Sequence, residues 1–478
     1  MPEPSDALAD LSPAARRQAM GRITMAWLFG AAWANALAGA PLTLFATKLG
    51  ATEFEFGLLA AMPFMAALLS LPASLLTDRT GRRNFWFFLG LYPNRLLWIV
   101  VALLPPFLWS RYGSAPAVAA FLSLIFIINI GQAMGSPGWT SWMADIVPPM
   151  IRGRYFAKRR QWGIVSGIPA ALIAGWVIDH YAFGDGDNVL RVCGAIFIVA
   201  ALIGVLDIFT FQFVPHAVRK KPREPLMKTL SGPLKNRRFL WFCLGTAVLW
   251  FGVAAQGQFV TKFLTDRVGL HGMQVQAMTL VVPMVAQWLV LPLWGRTIDR
   301  FGKKPALLIA TLGLVPVGAG WVFMGTEHIW LGYVLTTVGS VMWTGVDVSN
   351  FNMTMELSGT DPTGQSGGSA YLAMNSVILN SSACVGGFFF GAVAQNLAAN
   401  ALPVNALNGW TYFEVLFAIS AVLRLVAVLP MLKIKEPEAQ PTVDALRFMA
   451  GTLYNNVFGA VTLPGRLFFR KPSESEPT

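Results

Sequence analysis

The stretch LPASLLTDRTGRRNFWF, Leu71 to Phe87, decides how the rest of the chain is read. An apolar run ends at Asp78-Arg79, turns at Gly81, takes on Arg82 and Arg83, and returns at once to apolar residues. So short a charged turn between two apolar segments suits a tight loop at a membrane surface. It recurs as WGRTIDRFGKKPAL, Trp294 to Leu307, where Asp299, Arg300, Gly302, Lys303 and Lys304 take the places of Asp78, Arg79, Gly81, Arg82 and Arg83. The offset from Asp78 to Asp299 is 221 residues in a chain of 478, close to half. The chain is organised around a duplicated hinge.

Composition supports a membrane setting. The chain is 55% hydrophobic and 13% charged, against about 25% charged in a soluble domain. Apolar runs of roughly 20 residues follow one another with short polar breaks, the pattern of spanning helices. Alternation in segments of about 10 residues, the mark of a β-barrel, is missing. The three cysteines, Cys193, Cys243 and Cys384, fall inside apolar runs, so no disulfide framework is implied. Residues 1–20 are polar and do not form a cleavable secretory signal.

The expected fold is all-α and membrane-integral, with twelve transmembrane helices in two six-helix, pseudo-symmetric bundles. The spans fall near 22–47, 55–77, 84–109, 116–144, 161–182, 190–213, 239–263, 273–295, 305–325, 329–355, 368–395 and 411–432. The organisation is then a polar segment 1–20, a bundle 21–214, a linker 215–238, a second bundle 239–432 and a tail 433–478. In the tail, Leu446, Met449, Leu453 and Val457 recur at helical spacing before Pro464. They predict an amphipathic helix on the membrane surface, with a weakly ordered tail as the alternative.

Net charge is +12, and its distribution is topological. One side of the expected membrane holds 29 lysines and arginines and the other 5, with Arg95 and Arg424 inside spans. The positive-inside rule puts both termini in the cytoplasm of an inner (plasma) membrane protein. The basic side faces anionic lipid headgroups, and nucleic acid is not needed to explain the charge. A second echo joins the halves: Asp145 stands eight residues before Gly153, and Glu356 eight before Gly364. Parallel six-span repeats are a transporter architecture, with the site between the halves near mid-membrane.

These motifs resemble the major facilitator superfamily over residues 20–432. TDRTGRR at 77–83 and TIDRFGKK at 297–304 are similar to its signature loop after spans two and eight. The second copy keeps the family's glycine as Gly295, and the first has Ser74 there. Asp145 with Arg152-Gly153 resembles the acidic element that ends span four, whereas after Glu356 the arginine is replaced by Thr363. Gly163, Gly167, Pro169 and Gly175 partly resemble the family's antiporter motif, although glycine-mediated helix packing explains them as well.

The resemblance implies that spans one, four, seven and ten line a cavity. Asp347 in span ten is then the charged residue on a cavity helix, about 13 Å deeper than Glu356 at the helical rise. An acid at that depth either takes and releases a proton or pairs with an arginine. Asp347 and then Glu356 are the expected proton-coupling residues. Arg95 and Asp207 are expected to pair, and Arg424 has no evident partner. Trp33, Asn35, Gln132, Trp250, Gln256, Trp343 and Asn375 are the expected substrate contacts, beside further amides at Asn129, Gln258, Asn350 and Asn380. Any one tryptophan could equally be an interfacial anchor. Asp78, Arg79, Arg82, Asp145, Arg152, Asp299 and Arg300 form the expected cytoplasmic gate, against the alternative of ordinary surface charges.

The four histidines are scattered without metal-ligand spacing, and no phosphate-binding glycine-lysine loop occurs. Neither a cofactor nor a metal is expected, nor enzymatic chemistry. The expectation is a monomeric, proton-coupled secondary transporter working by alternating access. Import of a sugar or glycoside is favoured, with export of amphipathic drugs or lipid-like compounds as the alternative. A transport-inactive receptor or scaffold is the reading from another class, and two preserved hinges argue against it.

Overall fold

The computed structural model of the chain describes residues 12–183, 188–215, 232–359, 368–400, 402, 409–434, 436 and 439–452. Among these there are helices and turns and no strands. Eleven helices are long and apolar enough to cross a membrane, and the bent pair Pro13–Leu37 and Ala40–Leu49 makes the twelfth span. Lipid cannot satisfy backbone polar groups, so a helical chain is the form this composition can take in a bilayer. Large apolar side chains such as Leu103, Phe107, Leu289, Phe323 and Leu429 stay exposed on the outside, where acyl chains would cover them.

Sequence punctuation sets many helix ends. Ser12 caps span one, its side chain accepting from Ala15 N at 3.2 Å. Thr52 and Glu55 form a capping box at the start of span two, and Thr411 and Glu414 form another at span twelve. The two hinges are tighter than expected. Span two runs to Thr80 and span three begins at Arg83, with Gly81 at φ 67° between them. Span eight ends at Phe301 and span nine begins at Lys303, with Gly302 at φ 98°. Both glycines occupy backbone conformations that a side chain would strain. The hinges share a positive-φ glycine and their charges but not one backbone path, since ψ is −3° at Gly81 and 168° at Gly302.

Two expectations shift. Residues 152–160 are not a loop but the first turns of span five, Pro149–Tyr181. Span ten likewise extends to Ser358. Basic residues are good helix formers, so a helix runs past the apolar stretch that signals it. The expected linker 215–238 lies outside the described residues from 216 to 231, as does the loop with Thr363 and Gly364. The tail helix is seen over residues 442–452, and the positions from Leu453 onward lie outside the described residues. Ala445 and Met449 bury one face of this helix in the second bundle, while Val443 and Leu446 stay exposed. It docks on protein, with its other face left outward.

The packing of the two halves is asymmetric across the membrane. On the face opposite the hinges, one continuous apolar core runs through both bundles, from Phe45, Phe121 and Phe197 to Phe259, Phe263 and Phe417. Toward the hinge face the core splits in two. One part holds Phe87, Trp142 and Phe211 of the first bundle, and the other Phe239, Trp294 and Phe301 of the second. Helix contacts between the halves follow suit: spans two and eleven, and spans five and eight, pack together in their far-face parts. A Cβ on Gly57 would come within 2.4 Å of Gly391 Cα, and one on Gly175 within 2.6 Å of Met273 Cα. The halves thus close against each other at the far face and diverge toward the hinges.

Candidate translocation site

A cavity of about 230 Å3 lies among spans one to four of the first half, with Gln258 of span seven reaching its wall. Trp33, Asn94, Trp98, Asn129, Gln132 and Gln258 line it. The amides are partly occupied. Asn94 Nδ2 donates to Ile128 O at 2.7 Å, and Asn129 Nδ2 to Ile125 O at 2.8 Å. Asn94 Oδ1 already accepts from Arg95, whereas the Asn129 carbonyl keeps its acceptor, and Gln132 Nε2 reaches Ser136 Oγ at 3.2 Å. The wall offers flat indole faces and neutral hydrogen-bonding groups. A second cavity of about 410 Å3 adjoins it toward the hinge face, with Gln132 lining both. Arg95 and Asp207 stand in its wall, paired at 3.0 Å and nearly fully buried, as expected. The Arg95 guanidinium also lies 3.5 Å from the Trp33 ring centroid and bonds to Asn94.

The predicted substrate contacts separate into three groups. Trp33 and Gln132 line the first cavity. Trp250 and Trp343 form an aromatic pair at 5.1 Å, extended across the halves by Phe64 against Trp250 at 5.7 Å. Asn375 is buried and donates to Asn350 Oδ1 at 3.2 Å, while Asn35 bonds its own helix at Ala31 O. Gln256 is a correction: its Oε1 accepts from the buried Arg424, which also donates to Leu314 O at 2.7 Å. Arg424 thereby gains its partners, and Gln258, two residues on, takes the place in the cavity wall. A buried guanidinium needs acceptors more than a cavity needs an amide. Asn94 and Trp98 of span three also line the cavity, beyond the spans one, four, seven and ten that the resemblance implies.

Asp347 follows Trp343 by one turn and is solvent-accessible. It makes no hydrogen bond or ion pair among the described residues, and Arg160 of span five is the charge that acts on it. Arg160 in turn donates to Gln287 Oε1 in span eight at 3.1 Å, joining the halves. Glu356 is engaged elsewhere, at 2.7 Å from Lys303 Nζ.

The gate residues bond within each half. Arg83, absent from the expected set, pairs with Asp145 and ties span three to span four. Arg152 closes the end of span four by donating to Ala144 O at 2.9 Å. In the second half Lys303 joins Glu356, so spans nine and ten are tied in the same way. Arg300 lies over the rings of Phe301 and Phe448, the latter in the tail helix. Arg79, Arg82 and Asp299 sit at the hinge ends, with Arg79 and Asp299 exposed. The side chain of Asp78 lies outside the described residues. Glu436, just past span twelve, accepts the N–H groups of Lys303 and Lys304 at 3.0 and 2.7 Å, satisfying the open start of span nine.

The far-face seal was not foreseen. Lys262 of span seven bonds Asp266 at 2.7 Å and reaches Glu53 of span two at 3.3 Å, across the halves. Tyr412 OH donates to the same Glu53 at 3.1 Å. Gln276 accepts from Ala40 N at 3.2 Å, the N–H set free where span one breaks at Gly39. In the sequence, Lys262 was one of the few cations on the sparse side, and that isolation was the available signal.

Two helical bundles packed together at one face, with cavities in the first of them, define a multi-pass membrane protein of transporter architecture. The chain belongs to the Major Facilitator Superfamily, whose profile matches residues 22–379. Solved structures share the fold. A mutant of the nucleoside transporter NupG superposes with a TM-score of 0.65 at 13% identity, covering 88% of this chain and all of that one. A bacterial homologue of the iron transporter ferroportin in an inward-facing state gives 0.65 at 12% identity, covering 89% and 99%. A POT family transporter in complex with 5-aminolevulinic acid gives 0.61 at 12% identity, covering 88% and 97%. No curated protein sequence matches the chain.

Proposed function

We propose that the chain is a secondary active transporter that moves a small polar solute with a flat apolar face by alternating access. The observation that supports this reading is the indole-and-amide cavity of the first half, to which Gln258 of the second half contributes. Relatives at 12–13% identity share a fold and not a solute, so the solute is read from this wall. Indole faces receive the apolar side of a ring, and amides and side-chain carbonyls meet its hydroxyls; a sugar-like body satisfies both. The Phe64–Trp250–Trp343 cluster would also receive an amphipathic compound, which supports the export reading in second place.

By the basic excess at the hinge face, that face is cytoplasmic, and the conformation is inward-facing. Asp347 is the proposed proton carrier: it makes no hydrogen bond or ion pair among the described residues, is exposed, and lies in the field of Arg160. Taking up a proton weakens its attraction to Arg160, which itself bridges to span eight. The charge on Asp347 is thereby linked to a contact between the halves. Purified protein in liposomes, assayed for labelled-solute uptake with and without a pH gradient, tests the reading. Uptake above empty liposomes that grows with the gradient supports it. No uptake of any polar or amphipathic solute sinks it in favour of a receptor.

A further inference from the structure

The cavity nearer the hinges holds more positive charge than its fold accounts for. Its wall carries two guanidinium groups, Arg95 and Arg159, and one carboxylate, Asp207. Asp207 is committed to Arg95 at 3.0 Å. Arg159 makes no hydrogen bond or ion pair among the described residues, and its Nε is buried without a partner. It is held between two indoles instead, 4.3 Å from the Trp27 ring centroid and 4.9 Å from that of Trp139. Cation–π contact steadies a guanidinium but accepts none of its N–H groups.

The surroundings are built to hold this arrangement. A Cβ on Gly163 would lie 2.1 Å from Trp27 Nε1, and one on Gly204 2.6 Å from Arg95 Cδ. A Cβ on Gly30 would lie 2.7 Å from Asp207 Oδ2. Three spans thus give up side chains so that the tryptophan, the ion pair and the arginine can converge on one space. Gln132 belongs to both cavities, so a solute lying along it would place one end among the amides and the other before Arg159.

We propose that Arg159 receives an acidic group of the transported solute, an organic oxyanion borne as a carboxylate or a phosphate monoester. This deepens the transport reading above and rests on it. The planar guanidinium suits an oxyanion, and the flanking indoles keep water from competing for it. Asp207 also attracts Arg159, but it is shared with Arg95, so two cations face one carboxylate and the wall keeps a net positive charge. The solute class is then a polar, ring-bearing acid and not the neutral sugar alone.

The test is a thermal-shift titration of the full-length purified protein with two matched sets of probes. One set is glucose, glucuronate and glucose 6-phosphate; the other is benzyl alcohol, benzoate and phenyl phosphate. The expected result is stabilisation by at least one acid, with its neutral partner weaker by about tenfold or more. Arg159→Gln removes the preference for the acid, and Arg159→Lys retains part of it; circular dichroism and gel filtration check that each variant is folded. The carboxylate and phosphate arms identify which oxyanion is taken. Neutral members that bind as well as the acids overturn the proposal, as does acid binding unchanged in Arg159→Gln or no acid binding up to millimolar concentration. If the neutral members bind and Trp33→Ala abolishes that binding, the solute cavity stands and only the anion assignment falls.

Discussion

At the residue scale, burial decides which charges are structural. Arg95 and Asp207 are each almost inaccessible and depend on one another. Removing one partner strands the other, so Asp207→Asn should cost about 3–5 kcal/mol of stability. The double change Arg95→Met with Asp207→Leu should cost less, because no charge is left behind. Melting of the purified variants in one detergent compares the two. Asp347 stands in the opposite situation, accessible and without a fixed partner among the described residues. Asp347→Asn should therefore leave solute exchange in liposomes intact while abolishing the gain from an imposed pH gradient. Equal response to the gradient in variant and parent would remove Asp347 from the coupling role. Trp33 and Gln132 were legible as cavity residues from the helices that carry them. Gln256 was not, because no spacing reveals that an amide is needed by an arginine 168 positions away. Asn94 and Trp98 were not legible because the resemblance gives the cavity to spans one, four, seven and ten, and they stand on span three.

Among the elements, the hinges and the tail act together. Glu436 is 3% exposed at its side chain and accepts two N–H groups at the start of span nine, with Lys303 Nζ at 3.9 Å. Glu436→Gln should lower stability by about 1–3 kcal/mol and loosen the tail helix, read as faster proteolysis after residue 432. At the far face the seal joins span two to spans seven and twelve through Glu53. Lys262→Met should weaken that seal and raise the reactivity of a cysteine placed at the fully buried Phe56, which packs under Lys262, with a membrane-impermeant thiol reagent. Unchanged reactivity would show that the glycine contacts alone keep the face shut. The number of spans was legible because each needs about 20 apolar residues. Their ends were not, since the basic residues of 152–160 continue the helix where the apolar signal stops.

For the molecule as a whole, the duplicated charged turn announced two halves, and the described residues show them closed at one face. Which face is closed could not be read from the chain. That state depends on a small difference between two sets of contacts, such as Glu53 with Lys262 against the bonds that form when the hinge face closes. A Cβ on Gly57 would come within 2.4 Å of Gly391 Cα at the closed far face, so Gly57→Val should favour the opposite arrangement by steric exclusion. The most direct test is a set of spin-label distances across the halves in lipid nanodiscs, for the parent and for Gly57→Val. One pair sits at Arg111 and Glu327 near the far face, and the other at Met150 and Arg296 near the hinge face, all exposed positions. Rocking of the two halves against each other predicts that the variant lengthens the first distance and shortens the second together. Distances that stay fixed at both faces, or that change in the same direction, would contradict it.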